Sequence, residues 1–288
     1  MMATPLNRRQ FNRAGVALLA AGTLGASQAV STVRAGKNTG KFKKAVKYQM
    51  IKSKISVLDK FKMLKELGYD GVEIRTVEKI DRYEALRARD ATGLPIHGVI
   101  HSSAPDLEGA VDLSKFYGGT SVLVVAGRVD KDNPYEKVYN EQQARIAKAA
   151  PYAEKHGIDL LVENVWNNLL LSPLEMARFI DDMKSPAVGV YFDVGNVVRF
   201  GWPDHWIRTL GSRIKKLDIK EYSREKQRNE GLWKGFQVEI GEGDADYPAV
   251  RKALADINYQ GWATAEVRGG DRERLKEIAK LMDKALDL

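Results

Sequence analysis

Residues 188–219, VGVYFDVGNVVRFGWPDHWIRTLGSRIKKLDI, show the alternation that decides the fold. Apolar runs at 188–192 and 214–219 flank an amphipathic segment at 204–210. Short apolar runs are typical of strands covered on both faces, and a helix between two such runs is typical of parallel strand pairing. The stretch therefore predicts a strand, a helix and a second strand that lies parallel to the first.

The same alternation extends from residue 44 to the end of the chain. We predict strands at 44–51, 71–74, 94–100, 121–126, 158–162, 188–192, 214–219 and 262–265. We predict helices at 57–67, 84–92, 107–116, 141–155, 173–182, 204–210, 247–257 and 272–286. Eight strands, each followed by a helix, within about 250 residues indicate an α/β fold of the (β/α)8 TIM barrel type. An open doubly wound sheet is the alternative, but the first predicted strand is not followed by G-x-G-x-x-G, which argues against its dinucleotide-binding form.

The net charge of the chain is concentrated near its N-terminus. The 288 residues include 46 Lys and Arg and 38 Asp and Glu, for a net charge of +8. Residues 1–35 contain four arginines and no acid, and residues 36–54 contain seven lysines and no acid, so the remainder carries a net charge of −3. A nucleic-acid-binding domain places its positive charge on the folded surface, so we expect no nucleic-acid partner.

The N-terminal stretch has the order of an export signal. Arg8 and Arg9 precede Phe11, an apolar run follows at 14–21, and small residues at 26–29 provide a cleavage site. The paired arginines with Phe11 resemble the twin-arginine signal, which exports folded proteins from the bacterial cytoplasm. An amphipathic N-terminal helix is the alternative.

We therefore expect residues 1–35 to be a twin-arginine signal peptide and lead-in, and residues 44–288 to be a single barrel domain. The protein is expected in the periplasm, exported in its folded state. The apolar run of the signal is too short to span a bilayer, and no later run is longer, so we expect no stable membrane insertion.

The composition restricts the chemistry. The chain has no Cys and four His. The absence of Cys excludes thiol catalysis, Cys-ligated zinc, iron–sulfur clusters and disulfides. Catalysis must therefore depend mainly on carboxylates, Lys, Arg and hydroxyl groups.

Strands five to eight each end in a carboxylate, at the end of a barrel strand where active sites lie. These residues are Glu163, Asp193, Asp218 and Glu266. Barrel geometry brings the four groups together, and they would repel one another strongly unless a cation holds them. A hard divalent ion with oxygen ligands meets this need. Taken singly, each acid has an alternative interpretation as a solvated loop residue or, for Asp193, as a helix cap.

Six short motifs follow one another along the chain. They are 67–74 (LGYDGVEI), 163–164 (EN), 192–196 (FDVGN), 218–221 (DIKE), 241–244 (GEGD) and 261–266 (GWATAE). With these motifs the chain, from about residue 44 to residue 286, resembles the sugar phosphate isomerase/epimerase superfamily, the xylose isomerase-like TIM barrels. The resemblance implies the fold and the general chemistry but not the substrate.

The resemblance also implies a ligand set, because the family holds its metal with Glu, Asp, His and Glu from strands five to eight. The matching residues here are Glu163, Asp193, Asp218 and Glu266. Asp218 stands where the family usually has His, and Asn196 stands where it often has a second His. A set made only of carboxylates favours one Mn²⁺ or Mg²⁺ ion over Co²⁺ or Zn²⁺.

The mechanism implied by the resemblance is proton transfer next to a carbonyl. The metal polarises the carbonyl and an adjacent hydroxyl of a ketose. Either Glu163 or Glu266 removes the neighbouring proton, and the other returns it on the opposite face through an enediolate.

The candidate substrate-binding residues are His101, Trp166, Asn196, Lys220 and Arg224. Asn196 is a candidate through its position in the family motif. Arg224 lies six residues after Asp218, where similar epimerases place an Arg on substrate hydroxyls; a solvated loop Arg is the alternative. Lys220 shares a strand face with Asp218 and either stabilises an oxyanion or only neutralises the acids.

Two further candidates lie near other strand ends. His101 follows the third strand and either contacts substrate, acts as an acid or base, or is a core or loop histidine. Trp166, just after Glu163, either stacks on a sugar ring or packs in the core.

Together these features predict a metal-dependent sugar isomerase or epimerase with a small sugar-like substrate. Export favours a non-phosphorylated sugar or keto-sugar, because phosphorylated sugars are mainly cytoplasmic. A lyase or dehydratase that eliminates from a keto-sugar or keto-glycoside is the close alternative, and a non-catalytic sugar-binding barrel is the second. A DNA-repair endonuclease of this fold would need a His-rich trinuclear zinc site, which four His argue against. A homo-oligomer is compatible with the sequence, which does not decide the oligomeric state.

Overall fold

The protein was analysed as a computed structural model that describes residues 36–288, so the predicted twin-arginine signal at 1–35 lies outside the described residues. Parallel strands β1 to β8 pair in sequence order, and β8 pairs with β1 to close the barrel. The strands are β1 Phe42–Lys47, β2 Gly71–Arg75, β3 Ile96–Ser102, β4 Ser121–Val124, β5 Asp159–Glu163, β6 Val188–Asp193, β7 Ile214–Ile219 and β8 Gly261–Ala265. The prediction of a (β/α)8 TIM barrel is confirmed.

Helices connect successive strands on the outside of the barrel. They are α1 Val57–Glu66, α2 Arg82–Thr92, α3 Leu107–Phe116, α4 Tyr135–His156, α5 Pro173–Asp181, α6 Pro203–Leu210, α7 Arg224–Glu230, α8 Tyr247–Asp256 and α9 Arg272–Leu286. Short polar side chains start many of them: Ser172, for example, accepts a hydrogen bond from the Glu175 N–H, and Pro173 occupies the first turn. Within the described part of the chain, none of the helices combines the length and apolarity needed to cross a membrane.

Apolar side chains pack at two levels. The larger core lies between the strands and the helices, and a separate buried cluster is formed by Ile100, Leu123, Leu161 and Tyr191. Leu161 and Tyr191 precede Glu163 and Asp193 by two residues, so each pair shares one face of its strand. The smaller cluster therefore fills the barrel on the N-terminal side of the carboxylates.

A chain of hydrogen bonds crosses the barrel interior near this cluster. The Lys216 ammonium lies 3.0 Å from Nδ1 of His97, and Nε2 of His97 lies 3.2 Å from the Thr264 hydroxyl. The Tyr191 hydroxyl lies 2.9 Å from Thr264 and donates to Glu73 at 3.1 Å. These hydrogen bonds therefore connect the buried Lys216 to the buried Glu73 across the barrel.

Three segments differ from the prediction by more than two residues, and one of them is α4, which begins at Tyr135 rather than at residue 141. Strand β1 ends at Lys47 rather than at residue 51, because Tyr48–Met50 forms a 3-10 turn. The segment at 222–243, where no strand or helix was predicted, contains α7, which Ser223 caps by accepting from the Lys226 N–H, and a 3-10 turn at Leu232–Phe236. The earlier end of β1 places Lys47 at a strand end, where the site residues lie.

Candidate metal centre

The four strand-end carboxylates converge at the C-terminal end of the barrel. One oxygen from each of Glu163, Asp193, Asp218 and Glu266 lies within 4.8 Å of the others. Asp193 and Asp218 are fully buried, and Glu163 is 7% exposed. Asp193 is directly paired with Asp218 in the β6–β7 register, so strand pairing itself sets part of this geometry.

Two lysines bind these carboxylates directly. Lys47 donates to Oδ2 of Asp218 at 2.8 Å and to Oε2 of Glu266 at 2.7 Å. The Lys220 ammonium lies 2.9 Å from Oδ2 of Asp193 and 3.3 Å from Oε1 of Glu266. Each lysine therefore bridges one buried Asp to Glu266, and Glu163 makes no ion pair with the described residues.

The electrostatic environment separates the two glutamates. Burial raises the pKa of Glu163 to about 8, and the neighbouring Glu266 adds to the rise. Burial alone would also raise the pKa of Glu266, but Lys220 and Lys47 outweigh it and hold that pKa well below its usual range. In the metal-free site Glu163 therefore favours the protonated form at neutral pH and Glu266 the ionised form.

The buried aspartates show that the cluster is short of positive charge. Burial raises the pKa of Asp193 and, more strongly, that of Asp218, despite Lys220 and Lys47. Oδ1 of Asp218 is buried and has no hydrogen-bond partner among the described residues. When ionised, the four carboxylates exceed the two ammonium groups by two charges, which is the charge of one divalent cation.

These residues fit a divalent metal. Opposite ligands of an octahedral Mg²⁺ ion are separated by about 4 Å, twice the metal–oxygen distance, which agrees with the spacing of the four oxygens. Carboxylate oxygens are the donors that Mg²⁺ and Mn²⁺ prefer. The unpartnered Oδ1 of Asp218 is an oxygen that such an ion would satisfy.

Two asparagines hold Asp193 in place. The Asn164 side chain donates to the Asp193 carbonyl and accepts from the Asp193 N–H, both at 2.8 Å. Oδ1 of Asp193 accepts from the Asn196 N–H at 2.8 Å, while the Asn196 amide donates to the Asn164 carbonyl. One oxygen of Asp193 thus accepts from a turn N–H, not from a helix as the alternative interpretation proposed, and the other faces Lys220. Asn196 acts on the carboxylate through the backbone and lies 3.3 Å from the Lys220 ammonium.

Glu221, the last residue of the DIKE motif at 218–221, organises the loop above the site. Its buried carboxylate accepts backbone N–H groups from Tyr222, Gly241 and Ala245 at 2.9–3.0 Å. A Cβ at Gly243 would lie 2.6 Å from Oε1 of Glu221, so only glycine permits this close approach. The GEGD motif at 241–244 therefore shapes the loop.

Trp166 belongs to an aromatic cluster beside the site. Its ring centroid lies 4.8 Å from Phe236 and 5.2 Å from Trp233, and the Arg199 guanidinium lies 5.1 Å from it. Its indole N–H donates to the Asn196 carbonyl at 2.7 Å. Packing thus occupies much of the ring, and its predicted role in sugar stacking stays a prediction. Phe236 extends the cluster toward the site, because the Lys220 ammonium lies 5.4 Å from its centroid.

Two other candidates have partners away from the carboxylates. Arg224 donates to the carbonyls of Val198 and Gly201 at 2.8 and 2.6 Å, and so fastens the loop that follows β6. His101 shares a 3.1 Å hydrogen bond with Thr76, and burial together with Arg145 lowers its pKa. The structure does not bring either residue into the carboxylate cluster, and their roles with substrate stay predictions.

Sequence reasoning missed Lys47 and Asn164. Lys47 ends a strand, as the four carboxylates do. The signal that could have found it is a second lysine four residues after Lys43, on the same face of the strand as Ala45. Asn164 follows Glu163 in a motif that was identified, but its partner is backbone on the next strand, which sequence does not reveal.

A cleft opens beside the cluster. Lys47 and Glu266 line it together with Gln49, Lys52 and Arg268, and its volume is about 500 Å³. Pockets of this size accept small organic molecules. The cleft therefore gives a sugar-sized ligand access to Glu266, one of the four carboxylates.

Comparisons with known proteins agree with this architecture. A family model described as the xylose isomerase-like TIM barrel matches residues 61–286. An inosose dehydratase from Mesomycoplasma hyopneumoniae is 26% identical over 168 residues, which are 53% of this chain and 56% of that protein. The chain thus spans just over half of the length of this curated relative.

Solved structures of sugar epimerases share the fold. A 3-keto-D-glucoside 4-epimerase from E. coli has a TM-score of 0.70 and 16% identity, with 85% of this chain and 99% of that chain covered. A D-allulose 3-epimerase from Methylomonas sp. has a TM-score of 0.69 and 16% identity, with 88% and 100% covered. At these identities the likeness shows the fold alone.

Proposed function

Because the chain belongs to the xylose isomerase-like TIM barrel family, we propose that it is a divalent-metal-dependent enzyme that moves a proton next to the carbonyl of a sugar or keto-sugar, as isomerases and epimerases do. The observation that carries the proposal is the convergence of four carboxylates within 4.8 Å at the barrel end. Mn²⁺ or Mg²⁺ suits this oxygen donor set best. The sugar epimerases that share the fold support the substrate class.

The ion would be held by Glu163, Asp193, Asp218 and Glu266, and when bound it would supply positive charge that polarises the substrate carbonyl. Glu266 is kept ionised by Lys47 and Lys220, so it is the group that accepts a proton from carbon. Glu163, the second glutamate of the set, is the group that passes a proton from solvent back to the carbon.

Lys220 is proposed to stabilise negative charge on the substrate oxygen. Its ammonium lies 3.3 Å from Oε1 of Glu266, so a substrate that reaches this carboxylate also reaches Lys220. Ammonium donors placed where charge develops lower the barrier of such reactions. Phe236 covers the same ammonium and limits its contact with water.

A dehydratase is the second candidate, because the curated relative that the chain matches is an inosose dehydratase. Elimination begins with the same proton removal and then needs an acid for the leaving hydroxyl. The glutamate that has removed the proton is itself such an acid. The residues of the site thus serve either outcome, and the product of the reaction distinguishes them.

We also propose that the protein is exported by the twin-arginine route and acts on a non-phosphorylated substrate. The support is the order of Arg8, Arg9, Phe11 and the apolar run in the N-terminal sequence. A homo-oligomer stays an expectation, which a measurement of the protein's mass in solution would test.

Metal analysis combined with isotope exchange tests the function. Purified protein should bind about one Mn²⁺ per chain. With Mn²⁺ in D₂O it should introduce deuterium next to the carbonyl of a 3-keto-D-glucoside, D-allulose or an inosose. An epimerised product would identify an epimerase, and loss of water a dehydratase. Absence of both metal binding and deuterium incorporation would contradict the proposal, and sugar binding without exchange would identify a non-catalytic barrel.

A further inference from the structure

We propose that Lys47 is a built-in counter-cation of the metal centre, which competes with the divalent ion for Asp218 and Glu266 and so weakens its binding. The inference rests on the proposed metal centre and concerns how tightly that centre binds. Lys47, at the end of β1, would thereby act on Asp218 in β7 and on Glu266 directly after β8.

The position of the Lys47 ammonium carries the inference. It donates to Asp218 at 2.8 Å and to Glu266 at 2.7 Å, both within the ordinary range for charged hydrogen bonds. Its side chain is 4% exposed and the Asp218 side chain is fully buried. Water therefore screens this charge little, and a metal at the same carboxylates would feel its repulsion at close range.

Lys47 is engaged more firmly than Lys220. The Lys220 side chain is 16% exposed, and its ammonium lies 3.3 Å from Glu266. It divides its contacts between Asp193, Glu266, Asn196 and the ring of Phe236. Both hydrogen bonds of the Lys47 ammonium go to carboxylates of the candidate ligand set.

Asp218 shows how the ligand is shared. Oδ2 is bonded to Lys47, while Oδ1 is buried and lacks a hydrogen-bond partner among the described residues. One oxygen therefore serves the ammonium, and the other is left for the metal. Removal of the ammonium gives the metal a carboxylate with its full negative charge and removes a neighbouring positive charge, so binding becomes tighter.

Calorimetric titration with Mn²⁺ tests this without any substrate. Lys47→Gln and Lys47→Met should bind Mn²⁺ at least tenfold more tightly than the unaltered protein. Lys43→Gln is the matched control, because it removes the same charge from the same strand at the opposite end, where Lys43 lies over Trp262. It should change the affinity less than twofold.

Thermal unfolding without metal supplies a second measurement on the same variants. Loss of the ammonium leaves Asp218 buried without its cation, so Lys47→Gln should melt at a lower temperature than Lys43→Gln when metal is absent. Added Mn²⁺ should raise its melting temperature more than that of the unaltered protein.

A double-variant comparison tests whether the effect passes through Asp218. Asp218→Asn keeps the shape of the ligand but removes its charge. The gain in Mn²⁺ affinity that Lys47→Gln produces should therefore be at least threefold smaller in the Asp218→Asn variant than in the unaltered protein. Unchanged or weaker Mn²⁺ binding by both Lys47 variants would overturn the inference and leave the metal centre intact. Failure of the unaltered protein to bind Mn²⁺ would instead overturn the proposed function.

Discussion

The side chain of Asn164 and the backbone of Asp193 form two hydrogen bonds, each 2.8 Å long, in which the amide donates to the carbonyl and accepts from the N–H. This pair links the end of β5 to the end of β6 beyond the last residue of the strand register. It fixes the backbone of a carboxylate that is itself fully buried. The geometry of the candidate metal centre therefore depends on an amide that is not one of its four carboxylates.

Replacement of Asn164 by Ala should destabilise the protein. Both hydrogen bonds are lost, and the Asp193 backbone groups are left buried without partners, so the free energy of unfolding should fall by about 1–3 kcal/mol. Urea denaturation measures this change. Asn140→Ala, at an exposed position in α4, is the control and should change stability by less than about 0.5 kcal/mol. Equal stability of the two variants would show that the Asn164 pair contributes nothing.

Replacement of Glu163 by Gln should remove proton transfer while keeping the shape of the side chain. Deuterium exchange into a substrate ketone should fall at least about 100-fold, the usual contribution of a general acid or base. Glu242→Gln is the matched control, because it makes the same substitution at an exposed position in the loop above the site. This variant should exchange at the parent rate. Exchange by Glu163→Gln at that rate would remove Glu163 from the mechanism.

His97 should make the free energy of unfolding depend on pH. Burial lowers its pKa well below the ordinary value, and the nearby Lys216 adds to the effect. The folded state keeps His97 neutral while the unfolded state binds a proton below about pH 6.5, so this residue's contribution to stability falls as the pH falls. Relative to His97→Gln, the unaltered protein should lose up to about 1.4 kcal/mol per pH unit below that point.

Denaturant titrations at pH 7, 6 and 5 measure the difference between the two proteins. His205→Gln, which alters a side chain that is 69% exposed, is the control and should follow the parent across this range. Parallel curves for His97→Gln and the unaltered protein would contradict a neutral, buried His97.

The N-terminal arginine pair should be required for export. Arg8→Lys and Arg9→Lys together conserve charge but remove the twin-arginine motif, so the full chain expressed in a bacterial host should accumulate as cytoplasmic precursor. Cell fractionation measures the periplasmic fraction. Arg13→Lys conserves charge outside the pair and should be exported normally. Normal export of the double variant would exclude the twin-arginine route.

Much of the fold and the set of carboxylates could be predicted. Apolar runs and helix stop signals are local, so eight strands were found with small errors at their ends. Glu163 and Asp193 follow directly from their strands, because parallel barrel strands all end on one face. The same argument failed for Lys47, since Tyr48–Met50 continues the apolar pattern but turns out of the strand.

Side-chain partners were less predictable. Arg224 binds the carbonyls of Val198 and Gly201, more than twenty residues earlier, which no local pattern indicated, and its role with substrate stays a prediction. Trp166 packs against Phe236 and donates to Asn196, so packing rather than composition determines which of its faces is open. These contacts depend on loop paths and rotamers, which have no periodic signal in the chain.

Local patterns in the chain were sufficient to predict the barrel and the four acids at the ends of β5 to β8, because strand periodicity and strand ends are local properties. The lysine that lies among these acids could be found only in the folded molecule. Lys47 is separated from Asp218 by 171 residues and from Glu266 by 219 residues, and no local pattern relates them. The pairing of β1 with β8 that closes the barrel brings the three side chains together.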